Sequence, residues 1–463
     1  MAEKKSSGFK TFLLILITIA FAFVFSIAAY LILVPNSSVF GLKYASNTEK
    51  VTYEYTNEAK TQLLRLKDYS KIIINAQNGE GHTHVQINAG AVSGMTNSQV
   101  VLMQNTKGFM RTDAESKYTL SCVASGSTLT INVTEPQYNF LQIANNTTLA
   151  INLYTASDNL VGTHFEINTG SGNVTLGGQI IPTESGKSLT FGSANITTKS
   201  GAITMNSVAQ TSGAMNIKSD TGAITIHGNK TFTNLNLETS GGKILTDDLT
   251  ANVNIKSFNS RVHLGNITGN VDFEMESGIL EIGNISGKLK SENKILYTTV
   301  KVNEVHGAVT LINDEGNFAV DIQKTYGDVA IRSGNKPIKI AEVYGKTDIE
   351  TIGGSIEIKK METNASDLYL KTKSGTILAN YDLVRGNNTF LTQNGMVKFK
   401  FSTNAQFMLN ASSENGRVYR TWLDDSTNPI ENVEVGGGNA ANNVTIASTS
   451  GHVRIEQVEN KSV

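Results

Sequence analysis

The C-terminal two thirds of the chain repeat a short pattern of glycine and alternating apolar residues. One half of the unit reads small, Gly, any, apolar, any, apolar, as in 200–205, 221–226 and 277–282. The other half reads apolar-x-x-apolar-x-Gly-x-apolar. Its glycines lie 18, 20, 20 and 18 residues apart, at Gly269, Gly287, Gly307, Gly327 and Gly345. A period this regular is typical of short units that stack on one another.

Each half-unit predicts a short β-strand, because alternate apolar residues bury one side of an extended chain. Glycine between strands permits the positive φ or the close backbone approach that a sharp corner needs. Two strands and two corners in about 19 residues form a coil too small to bury a core alone, so coils must stack. We therefore predict an all-β fold, a single-stranded parallel β-solenoid of about 18–20 residues per coil.

Equivalent apolar residues of successive coils are expected to form an inner column. The predicted members are Val262, Leu280, Phe318, Ile338, Ile356, Ile377, Val397 and Val418. A β-propeller would need blades of about 40 or more residues with four strands each, and a leucine-rich repeat would need a helical segment and an L-x-x-L-x-L pattern. Neither pattern fits this sequence.

An uncharged stretch of 24 residues near the N-terminus, 11–34, predicts a transmembrane helix. At about 1.5 Å per residue it spans roughly 36 Å, more than the ~30 Å hydrocarbon core of a bilayer. Lys4, Lys5 and Lys10 precede it, which places the N-terminus in the cytoplasm and the remaining chain outside. The alternative is a cleaved signal peptide, but its apolar region is normally about 7–15 residues long. We therefore predict an uncleaved signal anchor that contacts membrane lipid.

These patterns predict five segments. They are a cytoplasmic tail (1–10), the transmembrane anchor (11–34), a juxtamembrane linker (35–49), a β region or solenoid cap (50–165) and the β-solenoid repeats (166–460). The tail of the chain, 415–463, is expected to supply the far-end coils and their cap.

The charge balance and the cysteine content exclude several classes of protein. Lys and Arg number 39 and Asp and Glu number 40, a net charge of −1. Nucleic-acid binding needs a basic excess to displace counterions from phosphates, so it is not expected. Cys122 is the single cysteine, which excludes an intramolecular disulfide framework. We predict that Cys122 is a buried, small apolar residue and that the chain uses no cofactor.

The sequence offers few candidates for chemistry. Two acidic pairs, Asp247-Asp248 and Asp424-Asp425, are the best candidates for paired catalytic carboxylates, with Arg417, Arg420 or His452 as neighbours. The two pairs lie about nine coils apart, so we interpret them as solvated turn residues and predict no catalytic site.

Histidine and aromatic residues supply two weaker candidates. His82 and His84 lie two apart on one predicted strand and could be a metal pair, but no third ligand is in evidence and no metal site is predicted. Tyr419 and Trp422 either mark a sugar-stacking position or pack in an end cap, and packing is the favoured interpretation.

Glycosylation sequons of the form Asn-x-Ser/Thr are frequent. If the host glycosylates such sites, the candidates are Asn173, Asn195, Asn266, Asn284, Asn364 and Asn410. The alternative is structural, because Asn tolerates left-handed φ at corners and its side chains can stack in ladders.

The alternation of G-x-V-x-I with S-G-x-I-x-I, as in 307–311, 327–331 and 374–378, resembles the "putative adhesin" β-solenoid repeat family of bacterial and archaeal envelope proteins. The resemblance covers about 160–460 and is interrupted at 179–193 and 362–367. It implies a solenoid in the cell envelope. It assigns no catalytic residues.

Three functions are compatible with these patterns. The first is a single-pass surface protein with a structural or adhesive solenoid that contacts a surface glycan or an envelope protein. The second is an envelope-sensing or scaffolding partner of another membrane protein. The third is a membrane-tethered polysaccharide lyase or hydrolase on a β-helix. The absence of convergent catalytic candidates favours the first, so the chain is not expected to be an enzyme.

Overall fold

The computed structural model describes residues 6–34, 37–53, 66–78, 83–89, 99–111, 119–134, 142–153, 160–179, 189–206, 208–210, 213–292, 294–361, 367–381, 384–423, 427–437 and 441–459. The chain forms two compact units. The first comprises Met1–Asp158 and Ile167–Lys187, and the second comprises Asn159–Glu166 and Ser188–Val463.

The predicted apolar segment is a helix, α1 (Ser6–Leu33). Its part from Lys10 to Leu33 is long and apolar enough to cross a membrane. Two of its polar residues, Thr18 and Ser26, are satisfied within the helix. Thr18 Oγ1 donates to Leu14 O at 2.9 Å and Ser26 Oγ donates to Ala22 O at 2.8 Å. These hydroxyls therefore need no water, which makes them compatible with an apolar surrounding.

After α1 the chain forms a 3₁₀ turn, Leu66–Asp68, and a first group of strands. The strands are β1 (Ser38–Val39), β2 (Leu42–Tyr53), β3 (Lys71–Asn78), β4 (His84–Ala89), β5 (Gln99–Arg111), β6 (Thr119–Ser125), β7 (Thr128–Thr134), β8 (Gln142–Leu153), β9 (Leu160–Thr169) and β10 (Val174–Gln179).

The first unit combines parallel coil strands with antiparallel covering strands. β3 pairs with β7 in parallel, and β4 lies between β8 and β10, parallel to both. β5 is antiparallel to β8 and to β2, while β6 is antiparallel to β7. The antiparallel strands thus cover strand edges that would otherwise be open to pairing with another chain.

The second unit contains the remaining strands. They are β11 (Leu189–Thr198), β12 (Ile203–Met205), β13 (Val208–Gln210), β14 (Ala214–Ser219), β15 (Ile224–Ile226), β16 (Lys230–Thr239), β17 (Ile244–Thr246), β18 (Leu249–Leu264), β19 (Ile267–Thr268), β20 (Val271–Ile285), β21 (Leu289–Glu292), β22 (Ile295–Val305), β23 (Val309–Ile312), β24 (Ala319–Thr325), β25 (Val329–Ser333), β26 (Ile338–Val343), β27 (Thr347–Thr351), β28 (Ile356–Met361), β29 (Leu368–Thr372), β30 (Ile377–Tyr381), β31 (Asn387–Thr392), β32 (Val397–Ser402), β33 (Phe407–Ser413), β34 (Val418–Arg420), β35 (Ile430–Val435), β36 (Asn443–Ser448) and β37 (Val453–Val458).

Strands one coil apart pair in parallel through most of the second unit, for example β24 with β26 and β26 with β28. Buried and outward residues alternate along them, so each strand buries one side in the core. The prediction of an all-β fold with a parallel solenoid is confirmed.

The inner column differs from the predicted one at three positions, since it also contains Val300 and Val453 and has Val320 in place of Phe318. The register joins Val262, Leu280, Val300, Val320, Ile338, Ile356, Ile377, Val397, Val453 and Val418 in that order. Phe318 was wrongly placed in it. This residue is fully buried but precedes β24, and Val320 takes the column position beside Val300.

The far end of the second unit departs from chain order. β36 lies between β31 and β33, and β37 lies between β32 and β34. The last coil of the sequence therefore sits inside the stack. β35 is antiparallel to β33 and covers its outer edge. The tail, 415–463, was expected to supply the far-end coils, and β34 to β37 lie there, but the coil of β33 and β34 lies outside that of β36 and β37.

Six corners among the described residues share one hydrogen-bonded device, Ser/Thr-x-x-Gly. Gly242 N donates to Thr239 Oγ1 at 2.8 Å, and Gly375 N donates to Thr372 Oγ1 at 2.9 Å. The hydroxyl satisfies a buried backbone N–H at a position where no ladder partner is available.

Candidate ligand-binding face

Charged residues on the outer faces of the coils are arranged in columns of alternating sign. In one column the register places Lys218, Glu238, Lys256 and Glu274 side by side on four successive coils. Lys218 Nζ lies 2.8 Å from Glu238 Oε1, and Glu274 is paired with Lys294. Parallel strands lie about 4.8 Å apart, so like charges in register would repel and alternating charges attract.

Three further columns follow the same rule. They are His263, Glu281, Lys301, Asp321, Lys339 and Glu357; Glu304, Lys324, Glu342 and Lys360; and Arg332, Glu350 and Lys371. Glu281 accepts from Arg261 at 3.0 Å and from Lys301 at 3.2 Å, and these bonds lower its carboxyl pKa. Opposite charges thus lie next to each other on neighbouring coils, in keeping with the near-zero net charge of the chain.

We expect the Glu281 pairs to stabilise the fold only where the carboxylate is charged. Because the folded pKa is lowered, the contribution is complete above the ordinary value of 4.5 and is lost as the pH falls below it. Glu281→Gln should lower the free energy of unfolding by about 1 kcal/mol at neutral pH. Urea titrations at several pH values should show the two proteins converging in acid.

The control for this titration is Glu276→Gln, because Glu276 forms no ion pair within the described residues. It should leave stability within about 0.5 kcal/mol of the native chain at every pH. A loss for Glu281→Gln that persisted unchanged at pH 3 would contradict the assignment to ion pairing.

A column of side-chain amides lies beside the charged column that begins with Lys218. Asn216 Nδ2 donates to Asn195 Oδ1 at 2.6 Å, Asn236 Nδ2 to Asn216 Oδ1 at 2.5 Å, and Asn254 Nδ2 to Asn236 Oδ1 at 2.9 Å. Asp272 occupies the next coil. Each linked amide retains hydrogen-bonding capacity toward solvent, since an amide has two donors and two acceptor lone pairs.

The amide and charged columns together line an open depression, here called the trough. It is defined by Asn236, Glu238, Asn254, Lys256, Asp272, Glu274 and Lys294, with Phe258 at one end. Its two overlapping parts have volumes of about 400 and 320 Å³. Phe258 is 59% exposed at a corner, which is unusual for a side chain of this size.

The third feature of the outer surface is a stack of aromatic rings. His306 and Tyr326 stack at 4.5 Å between ring centroids, and Tyr326 stacks on Tyr344 at 5.0 Å. Lys324 lies beside both tyrosine rings, 5.1 and 5.0 Å from their centroids, and Glu342 is its ion-pair partner. These residues occupy equivalent corners immediately before Gly307, Gly327 and Gly345. Tyr326 is thus stacked with both other rings.

The structure gives Asp247 and Asp248 a role in corner geometry. Asp247 Oδ2 accepts from Gly228 N at 2.6 Å, and Asp248 Oδ1 accepts from Asn266 N at 2.7 Å. Each carboxylate therefore caps a backbone amide of an adjacent coil. The second pair, Asp424-Asp425, lies outside the described residues. Of the neighbours named with it, His452 Nδ1 accepts from Arg417 N at 3.1 Å, and Arg420 donates to Thr427 Oγ1 at 3.4 Å.

The structure describes only one residue of the predicted histidine pair, His84. His84 Nδ1 accepts from Asn173 N at 2.9 Å, so this ring is used in hydrogen bonding, and His82 lies outside the described residues. Within the part of the chain that the structure describes, no group of three or more His, Cys, Asp or Glu side chains could hold a metal ion. Cys122 is buried on β6, and burial raises the pKa of its thiol to about 12.

The aromatic pair at the far end packs as an end cap. Trp422 meets Phe401 edge-on at 5.2 Å between centroids, and Tyr419 meets His452 edge-on at 6.0 Å. The Trp422 contact continues a buried cluster, since Phe401 is 5.1 Å from Phe407 and 5.8 Å from Phe399.

Several sequon asparagines act in corners or ladders. Asn266 Oδ1 accepts from Asn284 N at 3.0 Å, Asn410 Oδ1 accepts from Asn432 N at 2.9 Å, and Asn195 belongs to the amide column. Asn173 is exposed, while Asn364 lies outside the described residues. These contacts give the asparagines a structural role, and glycosylation at the six sequons stays a prediction.

The alternating columns and the trough were missed at the sequence level, although the signal was present. Residues about 18–20 positions apart alternate in sign at Lys218, Glu238, Lys256 and Glu274, and Asn recurs two residues before the first three of them. Outward residues can be compared from coil to coil only once the coil register is known.

Stacked parallel coils and one apolar helix define a β-solenoid protein with coils of about twenty residues. The model of the Toastrack family, DUF4097, matches residues 44–339 and 337–456, and the chain belongs to this family. The resemblance predicted from the repeats is thereby confirmed. The match also begins well upstream of residue 160, where the recognised repeats began.

Three solved structures are similar to this chain. They are a "putative cell adhesion protein" from Clostridium sporogenes (8% identity, 89% of this chain and 100% of that chain, TM-score 0.15), a "putative adhesin" from Bacteroides fragilis (12%, 72% and 96%, 0.19) and a "putative adhesin" from Parabacteroides distasonis (10%, 89% and 97%, 0.18). No curated protein matches the sequence.

Proposed function

We propose that the chain is a membrane-anchored surface protein that binds an uncharged, hydroxyl-rich polysaccharide through the trough, without chemical turnover. The observation that carries this proposal is the juxtaposition of linked side-chain amides, paired charges and the exposed ring of Phe258. Amides and carboxylates hydrogen-bond hydroxyl groups, and an aromatic face packs against the C–H face of a sugar ring.

The charge pattern of the trough favours an uncharged ligand. Glu238 and Glu274 pair with Lys218 and Lys294, and Lys256 lies in register between the two glutamates, so no face of one sign attracts a polyanion. Binding should therefore depend on hydrogen bonds and shape, and we expect it to change little between low and high salt.

Ion pairing of carboxylates in the second unit supports a binding role over an enzymatic one. Acid catalysis of glycoside cleavage needs a carboxylic acid with a raised pKa close to a second carboxylate. In the second unit, two glutamates have a carboxyl pKa that is lowered instead of raised. Lys301 and Arg261 lower the pKa of Glu281. Burial opposes ionisation of Glu456, but Lys398 and Lys400 outweigh it and lower that pKa as well.

The apolar helix supports the anchored location. It has the length of a membrane span, its side chains from Lys10 to Leu33 are largely exposed, and three lysines stand at its N-terminal side. In the proposed orientation the N-terminus is cytoplasmic and the strands that follow the helix lie outside.

The binding proposal is tested with the full chain in lipid nanodiscs on an array of bacterial surface polysaccharides. Phe258→Ala should weaken binding at least tenfold, because the ring loses its stacking contact. The control is Ile352→Ala, since Ile352 is 50% exposed at the equivalent corner position of another coil. It should bind as the native chain does. Equal losses for both variants, or retention of no polysaccharide, would refute the proposal.

A further inference from the structure

Phe40 is exposed at the tip of the hairpin formed by β1 and β2. Val39 pairs with Leu42, so Phe40 and Gly41 are the two turn residues, and both have positive φ, 52° and 74°. Hairpin turns of this kind favour Asn or Asp at the first position, because a bulky side chain is strained there. The ring is also 81% exposed, more than any other large apolar side chain in the part of the chain that the structure describes. Neither the turn nor the core accounts for an aromatic residue at this position.

The chain folds back along α1 to reach this tip. Ser37 N donates to Val34 O at 3.2 Å, so a turn closes directly after the helix. β1 and β2 then pack against α1. From Ser37 to Phe40 an extended chain covers at most about 10 Å, which is the rise of roughly seven helical residues. Phe40 is therefore level with the last two turns of the helix.

The burial pattern of α1 agrees with this placement. Leu31 is 2% exposed and Ile27 and Ala28 are half-buried, while the other residues of 10–33 are exposed. The three covered residues are three and four positions apart, so they share one face of the helix. They mark the face that β1 and β2 cover.

The covered turns coincide with the outer edge of the proposed membrane span. A hydrocarbon core of ~30 Å takes about 20 helical residues, and Lys10–Leu33 has 24. A span centred on this helix therefore leaves the hydrocarbon near Leu31, beside the hairpin. Aromatic side chains bind at this depth, where the headgroups meet the acyl chains. Tyr44 on β2 and Phe109 on β5, whose ring centroids are 5.2 Å apart, add two further aromatic residues near the turn.

We propose that Phe40 inserts into the outer leaflet of the bilayer that α1 crosses, so that the β1–β2 turn forms a second membrane contact. The partner is the lipid itself, at the boundary between headgroups and acyl chains. This inference rests on the proposed membrane span of α1, and it goes beyond polysaccharide binding because it needs no ligand. Two contacts restrict the orientation of β2 on the membrane surface, whereas a single helix would leave the strand free to pivot.

Tryptophan fluorescence tests the depth of the tip in the full-length chain. Trp422 is the single tryptophan and is replaced by Phe, which keeps an aromatic ring in the end cap. Phe40→Trp is then introduced, and the protein is reconstituted into vesicles of phosphatidylcholine, with or without bromine on the upper part of the acyl chains. Bromine quenches only a tryptophan that it contacts. The bromolipid should reduce the emission of Phe40→Trp at least twofold, and aqueous iodide should have little effect.

Two further variants in the same background separate the outcomes. Leu33→Trp reports on the helix, since Leu33 is 77% exposed at its end, and it should also be quenched by bromolipid. Ser38→Trp lies about 7 Å before the tip along the chain and should lose less than half as much emission as Phe40→Trp.

Bromolipid quenching of Leu33→Trp, combined with quenching of Phe40→Trp by iodide alone, would overturn the inference and leave the membrane span standing. Protection of Phe40→Trp from both quenchers would also overturn it, because protein would then cover the tip. A Leu33→Trp variant that bromolipid does not quench would contradict the span, and the inference with it.

Discussion

Gly242→Ala is expected to destabilise the solenoid by about 3 kcal/mol, although it adds one methyl group. A Cβ atom at this corner would lie 2.0 Å from Gly222 O and 2.8 Å from its carbonyl carbon, both in the backbone of the adjacent coil. Backbone cannot move aside as a flexible side chain can. The two coils would have to separate, which lengthens the hydrogen bonds on both sides of the corner.

The matched control is the residue immediately before it. Gly241→Ala should change the free energy of unfolding by less than about 0.5 kcal/mol, because a Cβ there meets nothing within 4 Å. Urea denaturation of both variants, followed by circular dichroism at the β-sheet band, measures the difference. Similar stabilities for the two variants would show that the coils are not in close contact at this corner.

Phe399→Ala is expected to cost about 4 kcal/mol, the second large effect. Phe399 is fully buried and contacts four other rings, Tyr381, Phe390, Phe401 and Phe407, at 5.4 to 5.8 Å between centroids. Truncation leaves a cavity that rigidly paired strands cannot close. Burial also raises the pKa of Tyr381 far above its ordinary value, as expected inside such a cluster.

Met396 supplies the comparison, since it lies three residues away and is 41% exposed. Met396→Ala should cost less than about 1 kcal/mol. Differential scanning calorimetry of the two variants in detergent resolves the difference as a shift in Tm. A Tm for Phe399→Ala within 2 °C of the Met396→Ala value would contradict the placement of this ring in the core.

The sequence predicted the coil, its period and the helix because these depend on local patterns. Alternating apolar residues determine which side of a strand is buried, and the glycine spacing determines where the chain turns. The order of the terminal coils could not be predicted in this way. The coils at this end carry the same corner device, so the pattern at Ser448–Gly451 is equally compatible with a place after or before the coil of Ser413–Gly416.

The error at Phe318 has a similar origin. The step from Ile312 to Val320 is two residues longer than the step from Arg332 to Ile338 in the next coil, and Phe318 is apolar and buried like a column residue. Only the register, which pairs Val320 with Val300, distinguishes the two positions. The trough depends on outward residues from several coils, and their proximity follows from the coil register and not from any local motif.

The central claim is that the solenoid binds polysaccharide and leaves it intact. The most direct test is to incubate the full chain in nanodiscs with a polysaccharide that it retains, release the ligand with denaturant, and determine its mass. We predict that the retained polysaccharide has an unchanged mass and that Phe258→Ala retains at least tenfold less of it. Recovery of shortened chains, or equal retention by Phe258→Ala, would contradict the account.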